Sequence, residues 1–251
     1  MAIAEGVMQQ QWLTALLLNG AIALIGYFSP QKALTKAGVI HAAILGLVVW
    51  GGLGWRGYAI VAAYFLLGTA VTKIGLKEKE AKGIAEKRGG ARGPENVWGS
   101  ALTGAICALG NAIAPHPLWV LGYCASFAAK LADTTSSEVG KAYGKRTYLI
   151  TTLQSVEPGT EGAVSLEGTV AGAIAAGILS GLSVAVGAIA PNWLAICWLA
   201  AIAATTVESW IGVVLQPKFD WLTNEVVNGI QTTIAAAIAV GAILFTSSLL
   251  F

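Results

Sequence analysis

Long, nearly uncharged apolar runs are the feature that most constrains how this chain can fold. The runs are continuous rather than alternating, so they predict membrane-spanning helices and not the strands of a barrel. A spanning helix needs about 20 apolar residues. Eight runs approach that length, at residues 11–28, 38–53, 57–73, 97–114, 117–134, 168–190, 192–215 and 226–250. We therefore predict an all-α fold, a polytopic membrane helix bundle of about eight transmembrane helices in a single domain, 1–251.

Composition and charge exclude several classes of protein. Only 11% of the residues are charged and 56% are hydrophobic, whereas a soluble domain carries about 25% charged residues. The net charge of +2 is too small to indicate a nucleic-acid partner. The three cysteines lie far apart inside apolar runs, so we expect them to be buried rather than paired or metal-bound.

The basic residues test the number of spans, because positive charge concentrates in cytoplasmic loops. With eight spans, 14 of the 15 Lys and Arg residues fall on one side, and Arg56 alone falls on the other. This separation predicts two cytoplasmic loops, 73–96 and 136–167, and places both termini on the opposite side of the membrane.

Two local features refine this topology. The runs 38–53 and 57–73 are short and are joined by the sequence GGLGWRG, so one of them could be re-entrant. Within the second loop, TYLITTL has β propensity and EPGTEG carries turn-forming residues, which makes a short β-hairpin plausible.

The sequence LADTTSSEVGKAYGKR, residues 131–146, places acids, hydroxyls and glycines at the end of the fifth run. On a helix, one face would carry Asp133, Ser137, Gly140 and Gly144, and the neighbouring face Thr134, Glu138, Lys141 and Lys145. Mg²⁺ typically takes one or two carboxylates together with phosphate oxygens. Glycines let phosphates approach backbone N–H groups, and lysines neutralise their charge. The alternative is a solvated helix end with ordinary ion pairs.

Other polar residues lie near the same side of the predicted bundle. They are Glu167 at the start of the sixth run, Glu208 and Ser209 in the seventh, and Asn224, Glu225, Asn228 and Gln231 in the eighth. Carboxylates and amides that converge inside an apolar bundle predict a polar pocket, because ionisable residues within spans are costly and usually functional. For Asn228 and Gln231, a purely structural role in joining helices is an equal alternative.

The loop sequence EKRGGARGPENVWGS, residues 86–100, offers Arg88 and Arg92 among glycines, followed by Asn96. Arginine forks suit phosphate, and glycines allow backbone N–H groups to form an anion-binding concavity. The alternative is a basic loop that contacts anionic lipid headgroups. The chain carries no P-loop pattern, no dinucleotide fingerprint and no protein-kinase motif set.

Together these motifs resemble a known family. The sequences LADTTSSEVGKAYGK, LITTLQSVEPGTEGAVSLEGTVAG, VESWIG and TNEVVNGIQTT are similar to those of the integral membrane family that contains phytyl-phosphate kinase and transmembrane protein 19. The resemblance covers roughly residues 82–235. It extends more distantly to the CTP-dependent polyprenol kinases, which phosphorylate phytol and dolichol.

The resemblance implies roles for individual residues. The matching positions are Asp133, Thr134, Ser137, Glu138 and Gly140 in the acidic motif, Glu157, Pro158, Gly159 and Gly162 in the PGTxG loop, Ser165, Glu167, Gly168 and Thr169 in the SxEGT element, and Arg88, Gly89 and Asn96 in the arginine loop. Where the family more often has Asp-Ser, this chain has Glu208 and Ser209, so the carboxylate stands one methylene farther from the backbone.

The implied activity is phosphoryl transfer from a nucleoside triphosphate, expected to be CTP, to phytyl phosphate. The product would be phytyl diphosphate for tocopherol and prenylquinone synthesis. We expect Asp133, Glu138 and Glu208 to bind Mg²⁺ and Lys141 to act in catalysis. We expect Lys82, Arg88, Arg92, Gly144, Lys145, Asn224 and Asn228 to join the matched motif residues in phosphate binding.

The expected partners are membrane lipids, an isoprenyl phosphate and a nucleotide, with no nucleic acid; a homodimer is left open. We expect the plasma or thylakoid membrane, with the site facing the cytoplasm. The alternatives are a lipid-phosphate transporter, a cytidylyltransferase that forms a CDP-lipid, and an isoprenoid alcohol kinase. A transporter would need polar residues through both halves of the bundle.

Overall fold

The computed structural model describes residues 2–29 and 33–248. Its helices are α1 (Ala2–Phe28), α2 (Lys36–Thr72), α3 (Leu76–Ala81), α4 (Pro94–Ile113), α5 (Pro117–Tyr143), α6 (Leu166–Ala185), α7 (Leu194–Val214) and α8 (Asn224–Ser248). The strands are β1 (Thr147–Leu149) and β2 (Ala163–Ser165), and short 3-10 turns occupy Lys87–Gly90, Pro191–Trp193 and Gln216–Lys218.

Helix α2 is a hairpin of two antiparallel arms. Gly54 interrupts it with φ 64° and ψ −160°, a conformation open to glycine because glycine has no Cβ. The rings of Trp50 and Tyr58 lie 5.2 Å apart across the bend. Gly38, near one end of α2, and Gly68, near the other, both lie against Arg92. Each arm is therefore about 27 Å long, close to the thickness of a membrane core.

Neighbouring side chains complete the hydrogen bonding at this bend. Gln11 of α1 donates to the carbonyls of Trp50 at 2.9 Å and Gly51 at 3.1 Å. Asn111 of α4 donates to the carbonyl of Gly52 at 3.0 Å. A bend leaves helix carbonyls without their intrahelical partners, so these amides from α1 and α4 stabilise the reversal of the chain.

The long helical segments alternate in direction. Between α4 and α5, Gly104 meets Phe127 and Gly110 meets Trp119. Between α6 and α7, Ser180 donates to Cys197, and Trp198 donates to the carbonyl of Ala173. Counting the two arms of α2 separately, the described chain forms eight alternating segments of near-spanning length, which agrees with the predicted number.

Five helices are long and apolar enough to cross a membrane by length and composition. They are Gln9–Phe28 of α1, the whole of α2, α6, α7 with its flanking turns, and α8. Helices α4 and α5 fall outside this group, and α5 carries charged residues in its second half. The predicted helical, polytopic membrane bundle is confirmed.

Helix α5 is the central element and divides the bundle into two halves. It packs against α2, α4, α6, α7 and α8. We call the end that holds residues 130–143 of α5 the polar half and the end that holds residues 117–129 the apolar half. Among the described basic residues, Arg56 lies in the apolar half, beside Gly187, as the charge pattern predicted.

Glycines bring α5 and α6 into close contact in the polar half. Gly168 lies against the Ser136 carbonyl, and Gly172 lies against the Ser136 side chain. Small residues at such positions let two helix backbones approach. This approach places the acidic motif of α5 beside the strand that precedes α6.

The predicted β-hairpin is confirmed. Strands β1 and β2 are antiparallel, and Thr147 pairs with Ser165. The Ser165 hydroxyl then accepts a hydrogen bond at 3.1 Å from the Gly168 N–H and so caps α6. The predicted loop 136–167 begins as helix, because α5 continues to Tyr143, and the predicted loop 73–96 contains α3 and the start of α4.

Candidate active site

A cavity of about 640 Å³ lies in the polar half. Its walls come from α2, α4, α5, α6, α7 and α8, from the loop 85–92 and from the hairpin loop 158–164. The charged side chains that line it are Glu86, Arg88, Arg92, Lys130, Asp133, Glu138, Lys141, Glu161, Glu208 and Glu225. Six carboxylates therefore face four basic groups, and the lining of the cavity has a negative formal charge.

Most of the predicted site residues line this cavity. They are Arg88, Arg92, Asn96, Asp133, Thr134, Ser137, Glu138, Gly140, Lys141, Gly159, Ser165, Glu208, Asn224 and Asn228. The remaining predicted residues are not among those that line it: Lys82, Gly89, Gly144, Lys145, Glu157, Glu167 and Gly168. Of these, Lys82, Gly89, Lys145 and Glu157 are exposed.

Asp133 forms a buried polar cluster at the deep end of the cavity. The Lys130 ammonium donates to Asp133 Oδ2 at 2.5 Å and to Asn228 Oδ1 at 2.8 Å. Lys130 and Asp133 are only 6% and 8% exposed. Within the part of the chain that the structure describes, no hydrogen bond to the second Asp133 oxygen is found, so that oxygen is available to a ligand.

Glu138 has a different environment, although it lies on the same helix. Its Oε2 accepts a hydrogen bond from Lys79 of α3, and Lys79 also donates to the Thr72 carbonyl at 2.9 Å. Its Oε1 lies 3.4 Å from the Lys141 ammonium. The Lys79 and Glu138 side chains are 0% and 2% exposed. Both oxygens of Glu138 are thus engaged by lysines.

Lys141 links Glu138 to the mouth of the cavity. Its ammonium also lies 3.5 Å from Glu86 Oε1. Burial acts to lower the pKa of Lys141, but the nearby carboxylates of Glu138 and Glu86 outweigh burial and raise that pKa above its usual value. Lys141 therefore stays protonated at neutral pH, and it lies outside the predicted span 117–134.

Glu208 of α7 faces the deep cluster across the cavity. It is within electrostatic range of Asp133, Lys130 and Glu161. The neighbouring Ser209 hydroxyl lies 3.4 Å from Glu208 Oε2. Lys130 forms its ion pair with Asp133, and Glu208 is a second carboxylate within electrostatic range of both.

The arginine loop presents its two arginines differently. Arg88 has a left-handed backbone, φ 57°, and its guanidinium is paired with Glu95 and lies 3.1 Å from Asn96 Oδ1. The hydrogen bond from Arg88 lowers the pKa of the exposed Glu95 carboxyl. Arg92 instead lies over the rings of Tyr64, at 5.4 Å, and Phe65, at 5.6 Å.

Asn96 joins this loop to α8. Its Oδ1 accepts from the Gly93 N–H at 3.0 Å, which caps α4, and its Nδ2 donates to Glu225 Oε1 at 3.3 Å. The first turn of α4 is therefore fixed against the first turn of α8 beside the cavity.

Two lysines of the site were absent from the predicted set. Lys130 stood inside the predicted span 117–134, where an ionisable residue is functional by default, so the sequence did contain a signal for it. Lys79 belongs to the charged sequence KEKEAK and looks no different from its neighbours. Only the packing of α3 against α5 distinguishes it.

The donor set fits a cation that arrives with phosphates. No group of three or more His, Cys, Asp or Glu side chains is arranged to hold a metal ion within residues 2–29 and 33–248. A Mg²⁺ ion bound mainly by phosphate oxygens needs one or two carboxylates from the protein. Asp133, with its available oxygen, and Glu208 would be the two carboxylates to hold such an ion.

Below the cavity the bundle is closed by aromatic rings. Tyr64 packs on Phe127 with ring centroids 5.3 Å apart, and Phe127 packs on Tyr123 at 4.9 Å. The Tyr123 hydroxyl donates to the Gly57 carbonyl at 2.7 Å. The other buried residues of α5 between Leu121 and Ala129 are small or apolar, apart from the hydroxyl of Ser126.

The chain resembles proteins from several organisms. It is 59% identical over 233 residues to an uncharacterized membrane protein of Synechocystis sp., a match that covers 92% of this chain and 90% of that protein. It is 44% identical over 237 residues to Protein VTE6, chloroplastic, of Arabidopsis thaliana, covering 91% and 71%. It is 32% identical over 211 residues to a membrane protein of Methanocaldococcus jannaschii, covering 84% and 86%. No solved structure matches the chain.

The family comparison covers most of the chain. Residues 19–236 match the family described as integral membrane protein DUF92. The matched region contains every residue of the cavity described above. It also contains all the motifs on which the predicted family resemblance was based. The chain belongs to the integral membrane protein family DUF92.

Proposed function

We propose that this protein is an isoprenyl-monophosphate kinase, which transfers a phosphoryl group from a nucleoside triphosphate to phytyl phosphate. The observation that carries the proposal is a cavity with carboxylates and basic side chains in one half of the bundle, closed by aromatic rings toward the other half. The resemblance of the motifs to those of phytyl-phosphate kinase and the relation to the chloroplastic VTE6 protein support it.

The charge of the cavity supports a role for Mg²⁺. Two phosphorylated substrates would enter a site in which carboxylates already outnumber basic groups. Asp133 and Glu208 would hold the ion, which would neutralise the nucleotide phosphates. Glu138 is engaged by Lys79 and Lys141, so we assign it to positioning Lys141 rather than to the metal.

The proposed reaction places few chemical demands on the side chains. An oxygen of the acceptor phosphate forms a bond to the γ-phosphorus, and the bond from that phosphorus to the β–γ bridging oxygen breaks. The nucleoside diphosphate leaves with the electron pair. The second pKa of a phosphate monoester is about 6. The acceptor is therefore already ionised at neutral pH and requires no general base. Basic groups at the site position and neutralise the phosphates.

The closed apolar half argues against transport. A transporter requires an access path on each side of its binding site, whereas the rings of Tyr64, Phe127 and Tyr123 fill the region below the cavity. From the distribution of basic residues we infer that the cavity faces the cytoplasm. CTP is the first donor to test, because the more distantly similar polyprenol kinases use CTP.

The test is to incubate purified protein with Mg²⁺, phytyl phosphate and each of the four nucleoside triphosphates, and to identify lipid products by mass. We expect phytyl diphosphate and a nucleoside diphosphate, with product formation strongly reduced in Asp133→Asn. A CDP-lipid with released pyrophosphate would instead identify a cytidylyltransferase. Phosphorylation of phytol itself would identify an alcohol kinase. No product from folded protein with any nucleotide would overturn the proposal.

A further inference from the structure

Two basic side chains lie near one buried tyrosine that lines the cavity. The guanidinium of Arg92 lies 5.4 Å from the centre of the Tyr64 ring. Tyr64 is also within electrostatic range of the Lys130 ammonium. Tyr64 is 4% exposed, and all three residues line the cavity. None of these contacts was expected from the motifs.

Arg92 is the less neutralised of the two basic groups. Within residues 2–29 and 33–248, the side chain of Arg92 makes no ion pair and no hydrogen bond to an acceptor. An unpaired cation inside a membrane bundle is costly unless an anion joins it. Lys130 has two acceptors, Asp133 and Asn228, and an ammonium has three N–H donors.

The backbone of Arg92 is fixed before any ligand arrives. Its N–H donates to the Ala33 carbonyl at 3.1 Å, and its carbonyl accepts from the Thr35 N–H at 3.0 Å. The aromatic faces of Tyr64 and Phe65 hold the guanidinium. A guanidinium held by aromatic faces can still donate from its edge to two oxygens of a phosphate.

Depth separates Lys130 and Tyr64, which the Arg92 guanidinium reaches from the arginine loop, from Lys141 at the mouth of the cavity. Lys130 precedes Lys141 by eleven residues on α5, or about 16 Å along the helix. Tyr64 lies eight residues before the end of α2, or about 12 Å below it. An amphiphile keeps its phosphate near the membrane boundary, whereas a nucleotide enters from water. The deep basic groups therefore match the amphiphile.

We propose that Arg92, Lys130 and Tyr64 form the binding subsite for the phosphate of a membrane-anchored monoester. The shallower Arg88 and Lys141 would then serve the nucleotide. This inference rests on the proposed kinase function, because it assigns the two ends of one cavity to the two substrates.

The kinetic test compares Arg92→Met and Lys130→Met with the matched control Arg88→Met, which removes the exposed arginine of the same loop. Hydrogen bonds to charged groups typically change affinity by about tenfold or more. We expect Arg92→Met and Lys130→Met to raise KM for phytyl phosphate by about tenfold or more and to leave KM for the nucleotide nearly unchanged. Arg88→Met should raise KM for the nucleotide. Arg92→Lys, which keeps the charge but loses the fork, should fall between wild type and Arg92→Met.

A binding test without nucleotide separates this inference from the kinase proposal. Phytyl phosphate should raise the thermal unfolding temperature of wild-type protein in detergent, and should do so clearly less for Arg92→Met at the same concentration. Phytol should have no effect on either protein. If inorganic phosphate stabilises wild type as strongly as phytyl phosphate does, the site recognises free phosphate and the assignment to a membrane-anchored monoester is wrong.

The outcomes distinguish the two proposals. Stabilisation by phytyl phosphate that depends on Arg92, without product from any nucleotide, would support the phosphate subsite and overturn the kinase. Product formation in which Arg92→Met and Lys130→Met change only the nucleotide KM would support the kinase and overturn the subsite. If Lys130→Met does not fold, Arg92→Met and Arg92→Lys decide the matter by the same readouts.

Discussion

Helix α5 runs through both the apolar and the polar half of the bundle, but it contacts its neighbours by apolar packing in the first and by ion pairs in the second. In the apolar half, α5 presents small residues and the rings of Tyr123 and Phe127 to its neighbours. In the polar half, it presents Asp133 and Glu138. The first half is stabilised by close packing, and the second by ion pairs that each bury a lysine.

The difference indicates how function and stability are divided. The packed residues of the apolar half offer no charged or polar group to a substrate. A substitution there should therefore change the free energy of unfolding and leave turnover unchanged. In the polar half, Asp133 keeps one oxygen available, whereas Glu138 uses both. We therefore expect Asp133 to be needed for turnover and Glu138 to be needed for the structure that surrounds it.

The largest expected effect is on turnover. Asp133→Asn should lower kcat by about 10³-fold, the loss typical of removing a group that stabilises transition-state charge. The thermal unfolding temperature should also fall, because Lys130 keeps acceptors in the introduced amide oxygen and in Asn228 but loses its charged partner, so turnover should be expressed per folded molecule. Product formation and unfolding should be measured on the same preparation. Asp133→Glu is the control that keeps the charge. A stable variant with normal turnover would show that Asp133 is not a metal ligand.

Glu138→Gln should act on stability first. It leaves Lys79 buried with a neutral partner, and breaking a buried ion pair from one side costs about 3 kcal/mol or more. The double variant Lys79→Met with Glu138→Gln should recover part of this free energy of unfolding, because it removes the unpaired charge. A double-mutant cycle in detergent measures the coupling. Additive losses would contradict the idea that the two residues stabilise the bundle as a pair.

A change at the α2 hairpin tests the apolar half. In Gly52→Ala, the new methyl group would meet the backbone carbonyl of Ala108. Overpacking of this kind costs about 2 kcal/mol. We expect a lower unfolding temperature and unchanged kcat per folded molecule. A loss of kcat without a loss of stability would show that the two halves are coupled.

The smallest effect is expected for Tyr123→Phe. This change removes the hydrogen bond to the Gly57 carbonyl, which is 2.7 Å long, but keeps the ring that packs on Phe127. The loss should be about 1 kcal/mol in the free energy of unfolding. Equilibrium unfolding against wild type measures it. A gain of transport activity across vesicles would instead show that the aromatic closure is a gate.

The sequence by itself determined the membrane bundle, the number of alternating helical segments and the β-hairpin. Continuous apolar runs can satisfy their backbone hydrogen bonds in a bilayer only as helices, and the basic residues mark which ends lie together. Most of the cavity residues could also be predicted, because carboxylates and arginines near one end of apolar helices are costly to bury and usually form a functional site.

Tertiary structure decided which of these residues meet and which charges are already neutralised. Lys79 is one of several lysines in a polar loop, and nothing local marks it as the partner of Glu138, 59 residues away. Lys130 was visible as a charge within a span, yet its position between Asp133 and Asn228 depends on α5 packing against α8. Pairing between distant residues is set by helix packing, and the local sequence pattern does not encode it.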